Sequence, residues 1–557
     1  MKKVETKRSN PSIQFLRKNH SGRARIKILG ALISTTIFLN VNATTHTNKT
    51  FLMPRSHNPN LAMEYTTWHD QIKRKDDDMF NGTIQAVPFY QKSNNKKDLG
   101  QYFSISNRTY SDRIDDYIEV SDVETSHLTV GDIIHYYPND YPVLGKITFR
   151  PYQESCGVRL DYHQKLDKFV NGLFIKINMP IVSVKHSMGY TYTWLGTQNL
   201  PTDSNITNAG AGYPELNAAQ CTGASKTMED YFTGNVENLA TQARQYPLNY
   251  YRIHNGKTKF GVADINIVLG YNFVYKESKH FNVNTAFLIP TGNAPDGKYR
   301  FEPVVGNGGH FGWGIGVDTA FELWNDNNKS VEFSIVTNYK YLFKGTEKRT
   351  LDFKYANTGA YTHPNERSTW GPYKIGGAYG DTHAEPLANF LTKDLNVTPR
   401  GEFDMMFDFA VNVGNWTIDL GYELFAKANE KVSLKHTWSD NRYGNAYIGW
   451  NTTKAFISGT TIEGGGGYET IYRGYNSSLY WNGTDVLTQY TIDSTHLLFD
   501  DAETPVQVTH KFFAGFGYAE NANKYPWMLG VGASIELTSN NAALALWALW
   551  LKLGISF

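Results

Sequence analysis

Glu402–Ala426 reads EFDMMFDFAVNVGNWTIDLGYELFA. Phe403, Met405, Phe407, Phe409, Val411 and Val413 occupy every second position. Asp404, Met406, Asp408, Ala410 and Asn412 lie between them. A period of two is the period of a strand, whose side chains point alternately to opposite faces. Gly414-Asn415 is a two-residue hairpin signal. The chain then returns with Trp416, Ile418, Leu420, Tyr422 and Leu424 on one face and Thr417, Asp419, Gly421, Glu423 and Phe425 on the other.

The same design recurs along the 557-residue chain. It predicts strands near 81–92, 98–106, 147–164, 173–188, 260–275, 279–291, 309–324, 330–344, 402–413, 416–427, 506–519, 527–537 and 543–557. Sandwich strands usually run five or six residues, whereas a tilted strand that crosses a bilayer needs about 9–11. Strands in lipid must pair every backbone group, so they must close into a barrel. Connections between these strands alternate between short and long. Short turns are expected at 93–97, 165–171, 277–279, 325–329, 414–415 and 521–524; long polar segments fill 107–145, 189–257, 291–308, 345–400 and 428–505. Thirteen strands is odd, and single-chain bacterial barrels have even counts. About 14 strands are expected, within a range of 12–16, with 115–123 or a break inside 147–164 supplying the missing one. The fold class is therefore all-β: a transmembrane antiparallel up-and-down barrel with long external loops.

Bulk composition agrees. Aromatic residues make up 14%, charged residues only 19%, and there are 48 glycines. A formal net charge of +1 gives no reason to expect nucleic acid as a partner. No apolar run after Ala43 is long enough for a membrane helix. Residues 1–27 are strongly basic, and ILGALISTTIFL (28–39) follows with Ala43 shortly after. That grammar predicts a signal peptide, residues 1–43, cleaved after Ala43. Residues 44–80 alternate poorly and carry dense charge, which leaves a periplasmic tail or a plug inside the barrel as open readings. Residues 81–557 form the barrel.

The C-terminus, LALWALWLKLGISF (544–557), alternates to the last residue. Trp547, Leu549, Leu551, Leu553, Ile555 and Phe557 share one face, and Trp550, Lys552, Gly554 and Ser556 the other. A last strand that ends in Phe with apolar residues at every second position resembles the assembly signal of Gram-negative outer-membrane β-barrel proteins. The resemblance implies an outer-membrane location and recognition of Phe557, Ile555, Leu553 and Leu551 by the barrel-assembly machinery. It identifies no subfamily.

The lumen-facing positions suggest function. Asp264, Asp318, Glu322, Glu332, Asp404, Asp408, Asp419, Glu423 and Glu536 are expected on the polar face, against Lys340, Lys344, Lys511 and Lys552. Carboxylates along a pore favour cations; basic segments or cations are expected to dock on them. No nucleophile elbow, zincin motif or paired C-x-x-C is present, so no enzyme, metal site or cofactor is expected. SKTMEDYFTGNVENLATQAR (225–244) has near-helical apolar spacing and predicts a short helix in its loop. Cys156 and Cys221 fall where a disulfide would tie that loop to the barrel. The leading functional expectation is a porin-type channel for small hydrophilic solutes, with a cation preference. The alternatives are a substrate-specific transporter with an N-terminal plug and a surface-exposed structural or adhesive barrel. The bilayer is the expected partner in each case, and oligomeric state is not encoded in any motif.

Overall fold

The computed structural model describes residues 45–58, 60–67, 81–104, 117–120, 145–194, 232–234, 247–276, 279–326, 328–354, 371–373, 375–376, 385–438, 455–458, 461–464, 492, 494–520 and 522–557. The expected signal peptide with its Ala43 cleavage site, Cys221, and all of the loop helix except Phe232–Gly234 lie outside these residues.

Twelve strands form the barrel. They are β1 Gly82–Ser93, β2 Tyr152–Lys165, β3 Leu173–Ser187, β4 Ile265–Lys276, β5 Lys279–Ile289, β6 Gly312–Asp326, β7 Lys329–Leu342, β8 Arg400–Val413, β9 Trp416–Lys427, β10 Gln507–Glu520, β11 Trp527–Thr538 and β12 Leu546–Ser556. Each pairs antiparallel with its sequence neighbour, and β1 pairs with β12, Thr83 opposite Ser556 and Ser93 opposite Leu546. The seam is completed by Gly82 N–H donating to Phe557 O (3.0 Å) and Phe557 N–H donating to Gly82 O (2.9 Å). A thirteenth strand, Lys257–Val262, pairs with the upper part of β3, while β4 pairs with the lower part. The two are separated by Ala263-Asp264, where Asp264 has φ +63°.

The count is twelve plus one, against about 14 expected from sequence. The surplus strand expected at 98–106 falls on a helix, Lys96–Tyr102. Leu99, Tyr102 and Phe103 repeat at helical spacing, and Lys96–Tyr102 buries them in an apolar cluster above the barrel. The 93–97 connection thus opens a long segment rather than a short turn. The break inside 147–164 is real, at 149–151, but its first piece, Gly145–Thr148, leaves the barrel to pair with Tyr117–Val120 and Thr191–Trp194. At the other rim the short turns follow expectation; Gly414, with φ +60°, makes the one between β8 and β9.

Strands of 11 to 15 residues are long enough to cross hydrocarbon at a tilt. Forty large apolar side chains are exposed among the described residues, most of them facing outward from the barrel strands. In water such a surface would be a severe liability; in lipid it is the required one. Trp527, Leu529, Val531, Ile535 and Leu537 on β11, and Leu549, Leu551, Leu553, Ile555 and Phe557 beside them, form one continuous outward face. Charged side chains on these strands turn inward: Lys552 is 0% exposed and Glu423 0% exposed.

At the long-loop end the walls continue upward. Gly345–Thr350, Thr392–Thr398 and Lys431–Leu434 form a three-stranded sheet over an apolar core that includes Leu351, Phe353, Leu387 and Phe390. Arg349 is buried beneath it, bonded to Glu347, Glu430 and Ala502 O. Burial pushes the Glu430 carboxyl up, but Arg349 and Lys427 outweigh it and hold it down to about 2. Glu302, in the loop between β5 and β6, is pushed up to about 8 by burial, with Asp296 beside it. Its carboxyl oxygens accept from the amides of Gly297 (3.0 Å) and Asp296 (3.2 Å).

Two outcomes are expected. Protein kept cold in detergent should migrate faster on a gel than boiled protein, as a closed barrel does; a single band position would contradict the fold. Because the raised carboxyl favours its protonated form, Glu302 holds its loop fully below the ordinary Glu range and loses that contribution as pH rises through about 8. Amide exchange at Asp296 and Gly297, corrected for intrinsic rate, should accelerate from about pH 5 to about pH 8 and level off above that; constant protection would refute it.

Candidate functional site

The lumen is polar, and Thr45–Thr67 lies within it. This segment enters near the long loops, where Thr50 N–H donates to Asp501 O (2.9 Å) and Met53 N–H to Thr504 Oγ1 (2.9 Å). It ends toward the short-turn end, where Thr67 N–H donates to Asp419 Oδ2 (2.9 Å).

Midway, Arg55 meets three barrel carboxylates. It donates to Asp404 Oδ1 (2.8 Å), to Glu423 Oε1, and to Glu536 Oε1 (3.3 Å), with its guanidinium 4.2 Å from the Phe425 ring centroid. Lys511 Nζ adds contacts to Glu423 (3.1 Å) and Glu536 (3.7 Å). All five charged groups are nearly excluded from solvent, the least buried being Arg55 at 9% side-chain exposure. Charges so placed are tolerable only when paired and hydrogen-bonded.

Below Arg55 the segment forms one turn of helix, α1 Leu61–Tyr65, capped by Asn60, whose side chain accepts from Met63 N–H (3.2 Å). The barrel grips both ends of this turn. Glu423 Oε2 accepts from Ala62 N–H (3.0 Å) at the N-terminus, and Lys552 Nζ donates to Glu64 O (2.7 Å) and Thr66 O (2.5 Å) at the C-terminus. That is the charge placement a helix dipole favours. Arg159 holds the flank, donating to Asn58 O (3.0 Å), Asn60 O (3.2 Å), Glu64 Oε2 (2.5 Å) and Asp161 Oδ1 (2.7 Å).

Thr66 and Thr67 seat on glycines. A Cβ at Gly515 would overlap the Thr66 side chain, and one at Gly517 or Gly530 would overlap that of Thr67. The glycines on β10 and β11 are therefore a socket cut to the segment, not merely space in a lumen.

The sequence-predicted acids divide into three groups. Asp404 and Glu423, with Glu536, are compensated by Arg55 and Lys511. Asp318 is held by His280 (2.8 Å) and by Tyr65 OH (3.1 Å). Glu322, Glu332, Asp408 and Asp419 lie toward the short-turn end on adjacent strands β6 to β9; Glu322 and Glu332 stand directly opposite each other. Asp264 belongs to none of these. It caps the strand break, accepting from the amides of Thr291 (3.2 Å), Gly292 (3.2 Å) and Asn307 (2.8 Å), so it is a loop anchor and not a pore-lining acid. Cys156 is exposed on the outward side of β2, and Cys221, its expected partner, lies outside the described residues.

Sequence reasoning missed Arg55, Arg159 and the glycine socket. Arg55 lies in a stretch without strand periodicity, and its partners are 349 to 481 residues away.

No family model and no curated protein matches this sequence. Among solved structures the chain is similar to an outer-membrane channel from Pseudomonas putida F1 (TM-score 0.33, 9% identity), over 87% of this chain and 100% of that one. It is also similar to the Pseudomonas putida toluene transporter TodX (TM-score 0.29, 9% identity; 91% and 95% covered). A Pseudomonas aeruginosa FadL homologue gives a TM-score of 0.24 at 8% identity, with 86% and 89% covered. The likeness is distant in each case.

Arg55→Ala should leave three buried carboxylates with only Lys511 among them and cost about 3–5 kcal/mol. Gly515→Val should push the segment off its socket by overlap with Thr66, costing about 1–3 kcal/mol. Both should lower the temperature at which the folded gel band disappears and expose Thr45–Thr67 to added protease. Unchanged melting and protection in both variants would disprove the lumen contacts.

Proposed function

We propose that this protein is an outer-membrane channel whose resting state is closed by its own N-terminal segment, and that it passes small hydrophilic solutes when that segment loosens. The observation that carries this reading is the Arg55 cluster. A barrel lining of buried acids is matched by a cation that arrives on the occupying segment, so the lining and the plug are built for each other. One cavity beside the segment measures about 50 Å³, room for roughly three or four waters. The fit of Arg55 to Asp404, Glu423 and Glu536 favours a gated channel with an N-terminal plug over an always-open porin.

The resemblance of the Phe557 strand to the outer-membrane assembly signal supports the location, with the short-turn end in the periplasm and the long loops outside. Glu322, Glu332, Asp408 and Asp419 support a cation preference of the conducting state, since carboxylate-lined pores favour cations.

Deleting Thr45–Thr67 while retaining residues 1–44 should convert a protein of low conductance in planar bilayers into one with large, steady steps. The deletion also strips Arg55 from Asp404, Glu423 and Glu536, so reversal potentials should move further toward cation selectivity. Equal conductance of full-length and deleted protein would refute the plug; anion selectivity of the deleted protein would refute the assigned lumen charge.

A further inference from the structure

The segment is not held evenly around the lumen. Most of its anchors are on the arc β9–β12 and β1–β2: Glu423, Asp419, Lys511, the glycine socket, Lys552 and Arg159. The opposite wall, β3 to β7, has a different lining. Asn178 and Asn266 are direct cross-strand partners, and Asn284 and Asn338 flank Gly316 at one level across β5, β6 and β7. Gly312, Gly314 and Gly316 face inward on β6 and add no side chain. The cavity lies here, between this wall and Asn58 and Asn60 of the segment.

Of the five charged groups that line it, four are engaged with protein partners: Glu64 is on Arg159 (2.5 Å), Asp404 on Arg55 (2.8 Å), Lys176 on Tyr65 OH (3.0 Å), and Glu402 faces Lys427 (3.8 Å). The fifth, Lys340, stands opposite Glu402 across β7 and β8. Beside it, what meets a solute is mainly carboxamide. Each carboxamide both donates and accepts, as a hydroxyl does, and carries no net charge. A hydroxyl-rich neutral solute can satisfy such a wall. An apolar one would leave buried amides unpaired.

Resting on the channel reading above, we infer that the asparagine–glycine wall of β3 to β7 is the solute track, and that its cargo is small uncharged polyols and sugars. Tyr65 is the latch on this side. Its hydroxyl donates to Asp318 Oδ2 (3.1 Å) and accepts from Lys176 Nζ (3.0 Å), spanning from the segment to β6 and β3. Its withdrawal joins the cavity to the rest of the lumen without disturbing the Arg55 cluster.

Liposome swelling tests this with four full-chain or deleted proteins: wild type, Tyr65→Phe, the double variant Asn284→Leu/Asn338→Leu in the Tyr65→Phe background, and the Thr45–Thr67 deletion. The solutes are glycerol, a pentose, and glycine as a zwitterion of similar size. Gel mobility before boiling confirms that each protein is folded, and Asn284→Ala/Asn338→Ala serves if the leucine pair is not. Tyr65→Phe should raise glycerol and pentose entry several-fold with little gain for glycine, and the asparagine changes should abolish that gain. If the deletion conducts but Tyr65→Phe has no effect, or the asparagine variants pass polyols undiminished, the track is overturned and the channel stands. If the deleted barrel passes nothing, both fall.

Discussion

The constraint beneath this structure is that hydrocarbon offers a peptide group no hydrogen-bond partner. A sheet in that solvent has no tolerable edge, so β1 must find β12 across the whole length of the chain. Closure then sorts every strand residue by parity. Odd positions of β11 and β12 become lipid-facing, and even positions, Lys552 and Glu536 among them, become interior. Once the ring is closed its interior is a second problem, because polar side chains shut away from water need partners as firmly as the backbone does.

The N-terminal segment answers that second problem. It supplies a guanidinium to three carboxylates, helix-end amides to Glu423, and helix-end carbonyls to Lys552. Barrel and segment each carry groups that would be costly alone. The arrangement is held together by charge on one arc and by neutral amides and glycines on the other, so the interface has a strong side and a weak side.

Much of the wall was legible in sequence because period two is a local signal. Phe403 to Val413 and Trp416 to Leu424 declare their faces without reference to any partner. The one false strand, 98–106, failed because Leu99, Tyr102 and Phe103 also fit helical spacing, and nine residues cannot separate the two periods decisively. Asp404, Asp408, Asp419 and Glu423, expected on the polar face, are buried. Asp264 was misassigned because alternation cannot report a positive φ that ends a strand. Pairing was illegible in principle: nothing near Arg55 names Glu536, and nothing near Gly515 names Thr66.

The seam between β1 and β12 has a consequence for the order of events. Thr45–Thr67 precedes β1 in the chain, and Asp404, Asp419, Glu423, Lys511 and Lys552, which hold it, sit on β8 to β12, the last strands to be synthesised. The segment cannot be seated before those strands exist. Nor can it be threaded easily into a ring already shut, because its anchors line the interior of the closed barrel. Burial of the segment and zipping of the seam are thus two views of one late step, in which the chain wraps its final wall around its own beginning.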